Sequence, residues 1–168
     1  MRAVYRVYLF KAALQLPVQK SICYGIFTRG DYVGTFMEEI TLTNSLDRGL
    51  VDRGYLEESQ IRTLKIEAMP DTGAWTLIIN EDVRQKLGLE IKGECRSTLA
   101  NGESSIYPLT EPVTIQWKNR SAAHQAVVVA NAKKVLLGAL PLESMDLIVD
   151  PVHQTLAGAN GENEMHCI

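Results

Sequence analysis

The fold of this 168-residue chain is decided by the stretch PDTGAWTLII, which occupies residues 70–79. Its apolar second half, Trp75–Ile79, is short enough to be a buried strand. The triplet before it, Asp71-Thr72-Gly73, has the residue types of a turn, where glycine tolerates backbone angles that other residues avoid. A carboxylate in that turn would lie at the edge of an apolar floor, where burial alters its pKa. Asp71 is therefore a candidate catalytic residue, and the simpler alternative is a turn aspartate bonded to the local backbone.

Two strands and a loop are predicted before this stretch. Residues 32–42 are rich in β-branched and aromatic residues, and Ile61–Met69 alternates apolar with polar residues, so both segments favour strands. Between them, residues 44–58 are polar and rich in turn formers, which favours a loop. Pro70 is expected to end the second strand, because proline has no amide hydrogen to donate to a neighbouring strand.

A short helix and a hairpin are predicted after the stretch. Asn80 is a suitable N-cap for the helix, and Gly88 is suited to end it. Further on, the dipeptide Asn101-Gly102 accepts the positive φ angles of a tight turn. It therefore predicts a hairpin between Arg96–Ala100 and Glu103–Leu109.

The rest of the chain adds more short strands. Two further strand pairs are predicted, residues 112–117 with 124–129 and residues 147–149 with 154–156. Pro141 can open a short helix that ends near Met145. Many short strands with one or two short helices predict a mainly β, barrel-like domain.

Composition excludes several classes of protein. With 46% hydrophobic and 22% charged residues, the chain is typical of globular rather than disordered proteins. It has no run of 18 or more apolar residues, which argues against stable membrane insertion. A pI of about 5.6 and a net charge of −3 argue against nucleic acid as a partner. Three widely separated cysteines and three scattered histidines predict no disulfide framework, no metal site and no cofactor, and we expect a cytoplasmic protein.

Charge is unevenly distributed along the chain. Residues 1–30 contain five basic residues and no acidic one, whereas the remainder is acidic. We therefore expect a basic leader over residues 1–33, a folded domain over residues 34–160 and a tail over residues 161–168. A basic amphipathic helix over residues 3–15, able to touch a membrane surface, is the alternative for the leader.

The order of these features resembles that of the retropepsin-like aspartic proteases, and particularly of their bacterial single-domain members. The resemblance rests on Asp71–Ala74, the apolar strand and helix after it, the Asn101-Gly102 hairpin, and Leu136-Leu137-Gly138 before a short helix. It covers roughly residues 34–160 and implies a closed barrel of short strands with one or two short helices.

The resemblance implies an aspartic endopeptidase that cleaves peptide bonds in extended segments. This chemistry requires two carboxylates facing one water, one ionised as general base and one protonated to polarise the scissile carbonyl. The sequence contains Asp-Thr-Gly once, so the second carboxylate must come from another copy. The expected protein is a twofold homodimer in which the two Asp71 residues meet at the axis.

The same resemblance assigns roles to the neighbours of Asp71. Thr72 would hydrogen-bond across the axis, Gly73 would let the substrate and the partner loop approach, and Ala74 would line the floor of the site. A second motif would pack under the Asp71 loop: Leu136, Leu137 and Gly138. A flap, for which a plain surface hairpin is the alternative, would close over the substrate: Ala100, Asn101, Gly102 and Glu103.

Two residues depart from the family pattern. Pro70 stands where an apolar residue usually pairs in a strand, and Trp75 stands where a small or polar residue is usual. They motivate a second hypothesis, in which a non-catalytic dimer uses the same groove to hold a peptide or a partner protein without cleaving it.

Overall fold

The computed structural model describes residues 35–98 and 104–161. The strands are β1 (Glu38–Asn44), β2 (Thr63–Pro70), β3 (Leu77–Ile79), β4 (Ile91–Thr98), β5 (Ser104–Trp117), β6 (Arg120–Val128), β7 (Val135–Leu137), β8 (Leu147–Asp150) and β9 (Thr155–Gly158). The helices are α1 (Ser45–Asp52), α2 (Glu81–Lys86), α3 (Ala139–Ser144) and a 3-10 helix over Glu58–Gln60.

Six of the strands close into a barrel. They are neighbours in the order β1-β2-β7-β3-β6-β5, and β5 pairs again with β1. The β2–β7 and β3–β6 pairs are parallel, and the other pairs in the barrel are antiparallel. β4 extends the sheet beyond β5, and β8 and β9 form a separate hairpin. The prediction of a mainly β barrel of short strands with few short helices is confirmed.

Alternate residues of the strands fill the barrel interior. In β1, Ile40 and Leu42 are buried between more exposed neighbours, which is the period of two expected when one face of a strand lies on the core. The same core includes residues from β3, β5 and β7: Leu77, Ile79, Val113, Ile115 and Leu137.

The helix predicted after the Asp71 stretch is confirmed as α2. The side chain of Asn80 accepts a hydrogen bond from the Val83 amide, which satisfies one of the free donors at the helix start. Gly88 lies just past the last turn with a φ of +58°, a conformation that glycine adopts without steric cost. Val83 and Leu87 lie on the buried face of this helix, as predicted.

The predicted loop over residues 44–58 is wrong, because it contains α1 and the first residue of the 3-10 helix. Asn44 is fully buried, and its side-chain oxygen accepts hydrogen bonds from the amides of Leu46 and Asp47. Its side-chain nitrogen donates to the carbonyl of Leu87 at 3.0 Å. Capping and tertiary packing at Asn44 therefore stabilise a helix whose own composition favours turns.

Two expectations for the central stretch are also corrected. β2 ends at Pro70 as expected, but Pro70 does not interrupt the pairing, because it still pairs in register with Leu137 of β7. The missing amide hydrogen is no obstacle there, because the next residue, Asp71, donates to the Leu137 carbonyl. The buried strand begins at Leu77 rather than at Trp75, whose side chain is 58% exposed.

The predicted hairpin arms are confirmed as β4 and β5, which pair up to Thr98 and Ser104. The hairpin tip, with the proposed flap residues Ala100, Asn101, Gly102 and Glu103, lies outside the described residues. So do the proposed leader and all but the first residue of the proposed tail. Within the described ranges, no helix is long and apolar enough to span a membrane.

Candidate active site

Asp71 lies in the turn that links β2 to β3, and its backbone holds it at two points. Its amide donates to the carbonyl of Leu137 at 2.9 Å, and its carbonyl accepts from the amide of Ala74 at 3.1 Å. One carboxylate oxygen, Oδ1, accepts from the amide of Gly73 at 2.9 Å. This local bonding is what the simpler reading of Asp71 as a turn aspartate predicts.

A role in the turn does not explain the environment of the second carboxylate oxygen of Asp71. The residue is only 1% exposed, and Oδ2 is buried without a hydrogen-bond partner among the described residues. A buried polar atom without a partner is costly, and such atoms are uncommon in native proteins. Asp71 therefore combines a fixed position with one oxygen that the described part of the chain leaves without a partner.

Burial also changes the acidity of this carboxyl group. Loss of hydration raises the pKa of Asp71, and the amide hydrogen bonds of Gly73 and Ala74 oppose that rise without cancelling it. Desolvation dominates because the charged form loses more than the neutral form when water is removed. A carboxyl group with a raised pKa holds a proton more readily, which is a property required of a general acid.

The second motif lies directly against the Asp71 loop. Leu136 packs with Met69 and Ala74 in a small apolar cluster, and Leu137 bonds to the Asp71 amide. A Cβ atom at Gly138 would lie only 2.3 Å from the carbonyl oxygen of Thr76. Glycine is therefore required at this position by close backbone approach.

Helix α3 begins against the same loop. The amide of Ala139 donates to the carbonyl of Ala74 at 2.8 Å, and the amide of Leu140 donates to that of Trp75 at 3.0 Å. The first amides of a helix have no partner within the helix, so the Asp71 loop supplies acceptors that α3 needs. The loop is thereby held between β7 and α3.

The outer side of the loop is open in the single chain. Thr72 and Gly73 are exposed, whereas Ala74 beneath them is buried. The structure thus brings together Asp71, its three neighbours and the second motif, and leaves two of these residues on the surface.

A cavity of about 70 Å³ lies beside the loop, between it and the β4–β5 hairpin. It is lined by Trp75, Thr76, Ile78, Cys95, Ser97, Tyr107, Val127, Val129, Ala132 and Leu136. Sequence patterns did not single out Cys95 and Tyr107, because only the pairing of these two residues in the β4–β5 register places them at this site. Residues 35–98 and 104–161 contain no cluster of histidine, cysteine or carboxylate side chains that could hold a metal ion.

Comparison with known proteins identifies the family. A family model described as "gag-polyprotein putative aspartyl protease" matches residues 58–144, which is more than half of the chain. The chain belongs to this retropepsin-like aspartic protease family. The matched range extends from the 3-10 helix to the end of α3 and includes both the Asp71 loop and the second motif.

Among solved structures, this aspartic protease family member is similar to a retropepsin-like aspartic protease from Rickettsia conorii. The identity is 20%, the match covers 69% of this chain and 87% of that chain, and the TM-score is 0.36. None of the curated proteins is a significant match to the sequence.

Proposed function

We propose that the protein is an aspartic endopeptidase that acts as a homodimer, with Asp71 of each copy facing one shared water. The observation that carries the proposal is the Asp71 carboxyl group, which is buried and has one oxygen without a hydrogen-bond partner among residues 35–98 and 104–161. A second copy that approaches over the exposed Thr72 and Gly73 would supply that oxygen with a neighbour. The family to which the chain belongs supports this reading.

The reaction follows from two carboxyl groups held close together. Two such groups cannot both ionise cheaply, so the pair shares one proton. The ionised member takes a proton from the water, whose oxygen adds to the carbonyl carbon of the peptide bond, while the protonated member hydrogen-bonds to the carbonyl oxygen. When the C–N bond then breaks, the leaving nitrogen takes up a proton from the pair, and an acid and an amine are released.

The raised pKa of Asp71 suits the protonated member of the pair. Burial alone favours the protonated form in an isolated chain, and a second carboxylate nearby would raise the proton affinity of the pair further. The residue is also held rigidly, because β7 and Ala74 fix its backbone. A fixed carboxyl group needs little reorganisation when charge develops in the transition state.

Residues 34–160 are proposed as the catalytic unit of each copy, and the elements from β1 to β9 lie within those bounds. One contact crosses the far boundary, since the Arg120 side chain donates to the carbonyl of Gly161 at 2.6 Å. The basic leader is proposed to have no part in cleavage. Deleting residues 1–33 is then expected to leave the rate of peptide cleavage unchanged.

A cytoplasmic location is part of the same proposal. The described cysteine, Cys95, is a free thiol, as is usual where glutathione and thioredoxin keep thiols reduced. Fractionation of cells that express the full chain tests this location.

Peptide cleavage by matched variants tests the proposed activity. Wild type is expected to cleave a mixture of unstructured peptides, Asp71→Asn to lose cleavage, and Asp82→Asn on the exposed side of α2 to keep it. Equal cleavage by wild type and Asp71→Asn would overturn the proposal. Peptide binding without turnover, unchanged in Asp71→Asn, would instead support the alternative of a non-catalytic binding module.

A further inference from the structure

The lining of the cavity beside the Asp71 loop has no charged side chain. All ten residues that line it are uncharged, and six of them are apolar. A charged side chain that entered it would lose hydration without meeting an opposite charge, which is costly. An apolar side chain would instead gain from burial. The cavity therefore discriminates by charge.

The size of the cavity sets a further limit. A cavity needs a volume of roughly 10–15 Å³ to hold one water molecule. The volume of this cavity is about 70 Å³, so it has room for a branched aliphatic or small aromatic side chain. Its walls come from two sides, because Trp75 and Thr76 follow Asp71 in the chain, whereas Cys95, Ser97 and Tyr107 belong to the β4–β5 hairpin. A peptide that lies in the groove between them would present a side chain to this cavity.

Among the residues that line the cavity, Trp75 is exposed in a way that packing within the fold does not explain. Its side chain is 58% exposed, although it is the largest apolar side chain in the loop. Its backbone carbonyl accepts from Leu140, so the backbone is fixed while the indole remains available. Thr76 and Ile78, beyond it, are more deeply buried and are held by β3 and its neighbours.

We propose that Trp75 is a specificity-determining residue, whose indole forms the outer wall of a pocket for an uncharged, branched aliphatic or aromatic side chain of the substrate. This proposal rests on the proposed peptidase function and deepens it. It assigns a function to the exposed indole, which supplies an apolar wall beside the cavity and thus biases the enzyme towards apolar residues at one position of the peptide.

Cleavage-site profiling tests the specificity. Peptides from a digested proteome are incubated with wild type, Trp75→Ala and Trp75→Phe, and the residues around each new terminus are read by mass spectrometry. Wild type is expected to favour apolar residues at one fixed position, Trp75→Ala to lose about tenfold of that preference, and Trp75→Phe to keep most of it. Leu46→Ala, which truncates an exposed apolar side chain on α1, should leave the profile unchanged. A profile that is the same in wild type and Trp75→Ala would overturn the proposal.

A binding measurement separates this proposal from the proposed activity. In an Asp71→Asn background, two octapeptide pools are added, one with Leu or Phe and one with Lys or Glu at a single fixed position. Trp75 is the exposed tryptophan and Trp117 is buried, so fluorescence should report on Trp75. The apolar pool is expected to shift the emission, the charged pool to leave it unchanged, and Trp75→Phe to abolish the shift. No shift with the apolar pool would overturn the pocket even if wild type cleaves peptides, whereas a shift without any cleavage would sink only the proposed activity.

Discussion

The amide of Asp71 donates a hydrogen bond to the carbonyl of Leu137 at 2.9 Å. This bond joins two short motifs that are far apart in the sequence, and it holds the candidate catalytic carboxyl group on the parallel β2–β7 pair. The next residue along, Gly138, passes so close to the Asp71 loop that the loop leaves no room for a side chain. The geometry of the site therefore depends on both motifs.

Gly138→Ala is expected to damage the site. Its new Cβ would lie 2.3 Å from the Thr76 carbonyl and 2.8 Å from that of Ala74, and neither backbone group can move without disturbing the Asp71 loop. We expect a loss of about 1–3 kcal/mol in the free energy of unfolding, measured in urea. Gly49→Ala is the control, since nothing lies within 4 Å of its new Cβ and alanine favours helix α1. Equal stability of Gly138→Ala and wild type would contradict the close packing.

The sequence predicted both motifs and most strands, because these depend on local patterns. Period-two alternation, the Asn80 cap and the Gly88 stop are properties of a few neighbouring residues, and the structure confirms them. Helix α1 was missed because its stability depends on the burial of Asn44 and its bond to Leu87, a tertiary contact. The cavity was missed for the same reason, since Cys95 and Tyr107 reach it only through strand register.

A second prediction concerns the ion pair between Asp47 of α1 and Arg62, the residue that precedes β2. The Asp47 carboxylate, 5% exposed, accepts from the backbone amide of Arg62 at 3.0 Å and from its guanidinium at 2.7 and 2.6 Å. Because the Arg62 side chain is 43% exposed, Asp47→Asn should cost only about 1–3 kcal/mol at neutral pH. Urea unfolding measures this cost, and Asp82→Asn, at an exposed pair with Lys86, should change stability far less.

The cost of Asp47→Asn should depend on pH. The hydrogen bonds from Arg62 hold the pKa of Asp47 below its ordinary value of 3.8. The carboxylate therefore stabilises the fold at pH values above 3.8, and this contribution is lost as the pH falls through the lowered pKa. The difference in free energy of unfolding between Asp47→Asn and wild type should therefore become smaller in that acidic range. A difference that stays constant would contradict the ion pair.

The effect of Asp71→Asn on stability at neutral pH should be opposite in sign to that of Asp47→Asn. Burial raises the pKa of Asp71, so between its unfolded and folded values the native state binds more protons, and stability falls as pH rises. Removing the ionisable group removes that penalty. At low protein concentration, the variant should melt above wild type at about pH 7 and at the same temperature at about pH 3. Calorimetry at both pH values checks this, and a variant less stable than wild type at neutral pH would count against a desolvated carboxylate.

Thr72 should matter to association rather than to the single chain. It is exposed beside Asp71, so Thr72→Ala is expected to change the stability of one copy by no more than about 0.5 kcal/mol. If its hydroxyl bonds across the axis, the same variant should weaken the dimer by about tenfold, and Thr72→Ser should restore it. Sedimentation over a dilution series measures this, and equally tight dimers of Thr72→Ala and wild type would remove the proposed role.

The most direct test of the account is a mixing experiment. Wild type is equilibrated with an equal amount of Asp71→Asn, and peptide cleavage per wild-type chain is compared with that of wild type alone at the same total concentration. If each site needs Asp71 from both copies, mixed dimers are inactive and cleavage per wild-type chain falls to about half. If cleavage per wild-type chain is unchanged by the inactive partner, each chain works alone and the shared site is contradicted.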